Sequence, residues 1–122
     1  MAFPDIEVAN FFDANAGTPS LDLLKTYDVV LVWRNSTWKD KTAMGNVLGD
    51  YVDLGGHVII GTFNWQSGAS DLEGRIMGAS FTPFTGATSI DHTTTILGTH
   101  NSSHPIMIGV TSLQSGHRMK GM

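Results

Sequence analysis

The chain has 122 residues, 7 basic against 11 acidic side chains for a formal net charge of −4, and no cysteine. That length supports one domain, 1–122, able to bury about two-thirds of the surface its unfolded form exposes. The acidic balance offers no basic footprint for phosphate contacts, so nucleic acid is not an expected partner. The missing cysteines exclude disulfides, thiolate catalysis and cysteine zinc sites while leaving the compartment undetermined. No apolar stretch reaches the roughly 20 residues of a bilayer span. Met1-Ala2-Phe3-Pro4-Asp5 lacks the basic and hydrophobic regions of a signal peptide, so a soluble chain outside the membrane is expected.

Residues 6–12 alternate weakly and are β-prone, which predicts a first strand ending near Asp13 in the polar turn Asp13-Ala14-Asn15-Ala16-Gly17. Thr18 is placed to cap a short helix with Pro19 in its first turn and Leu21, Leu23 and Leu24 on its apolar side. Val29-Val30-Leu31-Val32-Trp33 is a continuous apolar run, the pattern of a strand covered on both faces. Thr37, with Asp40 in the usual Glu position of a capping box, predicts the start of a helix carrying Ala43, Met44, Val47, Leu48, Tyr51 and Val52 at helical spacing. Gly55-Gly56 closes that helix, since glycine adopts the left-handed conformation without a Cβ penalty. His57-Val58-Ile59-Ile60-Gly61-Thr62 then begins a second buried run. Two such strands joined by a helix are expected to lie parallel with a right-handed crossover.

Beyond Thr62 the chain turns loop-rich, with a short helix expected around residues 71–77 and an anchored loop at Phe81-Thr82-Pro83-Phe84. Residues 93–97 have the propensity of an antiparallel or edge strand. His104-Pro105-Ile106-Met107-Ile108-Gly109-Val110 predicts a turn of helix or an apolar plug against the core, and residues 114–122 a mobile tail without core pattern. The expected fold class is an α/β three-layer sandwich with a mainly parallel sheet and a loop-rich or antiparallel C-terminal part.

Several runs together carry a family resemblance. They are Phe12-Asp13-Ala14-Asn15-Ala16-Gly17-Thr18-Pro19-Ser20-Leu21, Tyr27-Asp28-Val29-Val30-Leu31-Val32-Trp33, Tyr51-Val52-Asp53-Leu54-Gly55-Gly56, and His104-Pro105-Ile106-Met107 before Gly109-Val110. Over residues 12–113 the chain resembles the class I glutamine amidotransferase-like domains of bacterial multidomain and surface proteins, in kind the trehalose-utilisation-like branch. The resemblance implies a flavodoxin-like sheet and a nucleophilic cysteine on the turn after the strand at residues 57–62. Here that turn reads Gly61-Thr62-Phe63-Asn64-Trp65, so cysteine-dependent glutaminase activity is excluded. It also implies a strand and helix ahead of the strand at residues 6–12, and a sheet lacking that central strand would need another pairing order, strand exchange or a second chain. A homo-oligomer is therefore expected.

Ligands of open α/β sheets lie outside the carboxyl ends of the parallel strands. Those ends carry Asp13 and Asn15, then Trp33, Arg34 and Asn35, then Thr62, Phe63, Asn64 and Trp65. Two indoles among amides and a guanidinium suit a small polar ligand such as a carbohydrate, while the plainer reading, in which Trp33 and Trp65 pack under the loops and the polar residues finish turns, is the one these residue types favour. Asp13 is the best placed acid for acid/base work, with a turn acceptor as its plainer role. Asp91, His92, His100 and His104 have the chemistry of metal ligands but match no compact ligand motif, so no metal or other cofactor is expected. Asn35-Ser36-Thr37 and Asn101-Ser102-Ser103 match glycosylation sequons, patterns short enough to arise by chance. The sequence thus favours a non-catalytic binding or assembly domain on an altered amidotransferase-like scaffold, the alternative being a hydrolase with a non-cysteine site near Asp13 and Thr62.

Overall fold

In the computed structural model residues 6–66, 68, 71–82, 89–91, 93–116 and 118–120 are described, with only the backbone at 62, 89–91 and 118–120. In chain order the regular elements are α1 (Leu21–Leu24), β1 (Val29–Val32), α2 (Lys41–Asp53), β2 (His57–Ile60), β3 (Ser89–Asp91), β4 (Thr95–Ile96), β5 (Gln114–Ser115) and β6 (Arg118–Lys120). Short 3-10 turns occupy Thr62–Trp65, Arg75–Met77 and Pro105–Met107. The chain is a small α/β protein with one parallel strand pair and antiparallel pairs toward its C-terminus.

The β1-α2-β2 unit forms as its sequence pattern requires. β1 and β2 are parallel, with Val29 beside His57, Leu31 beside Ile59 and Val32 beside Ile60. Asp40, rather than Thr37, is the N-cap of α2: its carboxylate accepts from the amides of Thr42 and Ala43 at 3.1 and 2.8 Å. At the other end Gly55, at φ 92°, donates to the Val52 carbonyl and Gly56 to that of Tyr51. This is the paired bonding of a Schellman stop, available to glycine without strain. Met44, Leu48 and Tyr51 carry the buried stripe of α2 onto Leu24, Val32, Leu72 and Ile76, with Val30, Val58 and Ile60 of the sheet packed against them. The Tyr51 hydroxyl reaches back to donate to the Tyr27 carbonyl at 2.6 Å, tying the end of the helix to the entrance of β1.

A second flank of α2 carries chain directly on its backbone. A Cβ at Gly45 would fall on the Glu73 carbonyl oxygen, and one at Gly49 would meet the Arg75 Cβ at 2.8 Å. Asn46 accepts from the Arg75 amide at 3.0 Å, and Gly74 takes φ 81° as the chain passes the helix. Ion pairs rim this contact: Lys41 with Asp71 and Glu73, and Arg75 with Asp50 and Asp53. The helix expected at residues 71–77 is shortened to the 3-10 turn Arg75–Met77, residues 71–74 being irregular where Glu73 passes over Gly45.

Elsewhere the structure corrects the sequence pattern. Residues 6–12 are not a strand. Asn10 Nδ2 donates to the Tyr27 hydroxyl and the Ala14 carbonyl accepts from the Lys39 amide, which ties this part of the chain to the segments before and after β1, without ladder bonds among the described residues. Ser20, not Thr18, caps α1 by accepting from the Leu23 amide at 3.2 Å. Residues 105–107 make the expected helical turn, but Ile106 and Ile108 are exposed and plug no core. β4 is antiparallel, as expected for residues 93–97, and its partner β5, like β6, comes from the segment expected as a tail. Pro83 and Phe84 of the expected anchored loop lie outside the described residues.

The contact at Gly45 reverses an ordinary sign. In an open helix interior Gly→Ala stabilises by about 0.5–1 kcal/mol, whereas here Gly45→Ala is expected to cost about 1–3 kcal/mol through overpacking. Urea unfolding measures it, and a stabilised variant would show that residues 72–74 do not rest on the helix. The rim has its own pH signature. Lys41 and the Thr42 hydroxyl hold the Glu73 carboxyl below the usual carboxylate range, so its contribution is present at neutral pH and is lost as pH falls below the ordinary Glu value of about 4.3. The urea midpoints of wild type and Glu73→Gln are expected to differ at pH 7 and to draw together as pH falls from the ordinary Glu value through the lowered folded one; a gap that stays constant over the acid range would remove the ion pair from the account.

Candidate functional site

The carboxyl ends of β1 and β2 bring three loops together, as the strand pattern requires, and bind them to one another. Asp13 Oδ1 accepts from the Asn15 amide at 3.0 Å, and its carbonyl accepts from Ala16 and Gly17. Asp13 is therefore the turn residue of its plainer role. Asn15 Nδ2 lies within bonding distance of Ser36 Oγ, Thr37 Oγ1 and the Thr37 carbonyl, at 3.2, 3.1 and 2.9 Å. Arg34 donates through Nε to the Ser36 carbonyl and through Nη1 to the Phe63 carbonyl, at 3.0 and 2.9 Å. Burial pulls its guanidinium below the ordinary value while Asp71 acts in the opposite sense, and it stays a cation.

The turn Thr62–Trp65 after β2 is closed by Asn64, which is completely buried. Its Nδ2 donates to the carbonyls of Val32 at 3.1 Å and Gly61 at 2.9 Å, and its own backbone carbonyl accepts from the Leu72 amide. Two carbonyl acceptors fix the orientation of the amide, which leaves Oδ1 buried without a hydrogen-bond donor. Asn64 is thus a clamp between the two strand ends and not a group presented to a ligand. Phe63 and Trp65 are half-buried, and the side chain of Thr62 lies outside the described residues. Of the eight expected residues whose side chains are described, Asp13, Asn15, Trp33 and Asn35 are exposed, Asp13 and Asn15 being the two engaged in the loop bonds above, and Trp33 is 68 % exposed.

Of the four metal candidates the side chains of two are described. His100 and His104 serve their own turns, through the Gly98 carbonyl at 2.7 Å and the Ile106 amide at 3.3 Å, while the side chains of Asp91 and His92 lie outside the described residues. Among the described residues no group of three or more His, Asp or Glu side chains converges. A shallow open depression of about 250 Å³ lies at the opposite, amino end of the strands, between Tyr27, Tyr51 and His57. It is smaller than the 300–1,000 Å³ typical of small-molecule sites.

A different surface stands out. Along β1 and β2 the residues pointing away from α2 are uncovered: Val29 is 51 % exposed, Leu31 68 % and Ile59 57 %, and Trp33 continues the row. The strand expected to be covered on both faces is covered on one by the described residues. Strict alternation, the usual sign of an open face, is absent because both faces are apolar. The readable signal was the helix supply, since α1 has 4 residues against 13 in α2 and packs beside it.

Asn64→Asp keeps the shape of the clamp but removes the protons that its two carbonyl partners need. It is expected to destabilise the chain by about 3–5 kcal/mol, the cost of a buried charge without a partner, and more than Asn64→Ala in the same urea titration. Equal losses would reduce Asn64 to a packing residue. Among described residues no helix is long and apolar enough to cross a membrane, and comparison with family models, curated proteins and solved structures found no match to this chain.

Proposed function

We propose that this chain is a non-catalytic assembly module on an altered amidotransferase-like scaffold, and that the uncovered face of β1 and β2 is its working surface. The observation that carries the reading is the row Val29, Leu31, Trp33 and Ile59, four large apolar side chains each at least half exposed on one side of a two-stranded sheet. A patch of several hundred Å² on a soluble chain marks a contact surface. The scaffold assignment is supported by the parallel β1-α2-β2 unit and by the turn Thr62–Trp65 at the position of the family's nucleophile. In a flavodoxin-like three-layer sandwich the same sheet face carries a helical layer, so docking of a partner would complete the layering. Self-association is the form of assembly the scaffold favours, because sheet and partner then come from one sequence.

Catalysis and small-ligand capture are the weaker readings for a stated reason. Asp13 spends Oδ1 on its turn, Asn15 its amide on Ser36 and Thr37, and Arg34 its guanidinium on two carbonyls. Each of the three is thus committed in part to the loops themselves, which leaves less of it to orient a hydrolytic water or the hydroxyls of a carbohydrate.

The reading requires the face to be bare in an isolated chain. At concentrations low enough to separate molecules, the emission of Trp33, obtained as wild type minus Trp33→Phe, is expected to be quenched by acrylamide almost as freely as a model indole. A shielded Trp33 under those conditions would mean that the chain covers its own face, and the assembly reading would be abandoned.

A further inference from the structure

We infer that the occupant of this face is a second copy of the chain, stacked sheet against sheet about a two-fold axis that crosses the strands at the level of Leu31 and Ile59. The inference rests on the assembly reading and adds its partner and geometry.

Area is the first argument. Complete burial of the exposed parts of Val29, Leu31, Trp33 and Ile59 on two copies would remove at most about 1,000 Å² in total, the lower bound of a specific interface. An isologous contact reaches that figure with one patch, because each copy contributes the same surface.

Shape is the second argument. Leu31 and Ile59 are direct neighbours in the ladder, so the axis sets Leu31 against Leu31 of the second copy and Ile59 against Ile59. The same rotation reverses strand direction and places the large Trp33 over the small Val29 of the second copy. At the spacing of about 10 Å between stacked sheets, large against small is the arrangement that fills the gap. The Trp33 ring lies beside Gly61, where a Cβ would approach its Cδ1 at 3.2 Å; the indole can therefore lie low on the sheet instead of standing up from it.

Charge is the third. The chain carries a net charge of −4, and like-charge apposition would oppose association of two copies across most surfaces. The positions that form this face, Val29, Leu31 and Trp33 on one strand and His57, Ile59 and Gly61 on the other, include no Asp, Glu, Lys or Arg. Two acidic chains can meet there without opposing charges.

Light scattering of the intact chain over a concentration series is expected to show twice the chain mass at the upper end. Leu31→Glu should raise the dissociation constant by at least about a hundredfold, because two carboxylates would face each other without a counter-charge. Leu54→Glu, as exposed but at the carboxyl end of α2, should leave the constant unchanged. The absence of natural cysteines allows a second test that does not depend on a disruptive variant: Leu31→Cys should be joined to itself by a short bismaleimide, and Leu54→Cys should not. A dimer indifferent to Leu31→Glu, or equal cross-linking at both positions, overturns the inference. A monomer at every concentration with freely quenched Trp33 overturns the second copy while leaving the assembly reading standing for a different partner; a monomer with shielded Trp33 overturns both.

Discussion

Helix α2 is committed on two flanks at once, and the rest of the molecule follows from that double commitment. One stripe, Met44, Leu48 and Tyr51, fills the space above β1 and β2. The next flank, Gly45 and Gly49, has no side chains to offer and instead admits the backbone of residues 73–75 into contact. A glycine inside a helix sacrifices propensity, and here the return is a close approach that no side chain permits. With its apolar stripe on one sheet face and its glycine flank under a loop, α2 has nothing left for the other face. α1, four residues long and packed beside α2, cannot supply a second layer.

The carboxyl ends of the strands show the same economy in polar groups. In a catalytic α/β site the turns leave donors and acceptors pointed at a substrate. Here Asn64 consumes its amide protons on the carbonyls of Val32 and Gly61, and Arg34 closes the neighbouring gap onto the Phe63 carbonyl. These bonds hold the two strand ends in register where the ladder stops. They also make the turn rigid and inward-facing, the opposite of what a nucleophile on that turn would require.

Much of this was legible in the residues, and the failures have physical causes. The β1-α2-β2 unit was readable because three independent signals agree: two apolar runs of strand length, a helical repeat between them, and Gly55-Gly56 where the helix must stop. Asp40 displaced Thr37 as the cap because a carboxylate one residue before the helix reaches two amides directly, while the capping-box pattern places the helix start three residues earlier. Residues 6–12 have strand propensity, but propensity does not supply a partner, and without ladder bonds to β1 they remain irregular. The role of Asn64 was hidden because an amide beside two aromatic residues reads the same whether it faces a ligand or a strand end. Only the fold, by burying it completely, decides between those roles.

The uncovered face is the remaining conflict between levels, and conflicts of that kind concentrate at working surfaces. Leu31 and Ile59 sit side by side on it, each exposed where a solvated strand would carry threonine, lysine or glutamate. A two-stranded sheet is marginal by itself, and its free edges are open to indiscriminate pairing. Contact through an edge can propagate from chain to chain, because each addition exposes a fresh edge. Contact through a face related by a two-fold axis cannot, because each copy uses its whole patch on the other and the pair is closed. An apolar face used in the proposed two-fold contact would therefore limit association to a finite product. The inner face of these strands is matched to α2, and the outer face, equally apolar, is the one the proposed second copy would cover.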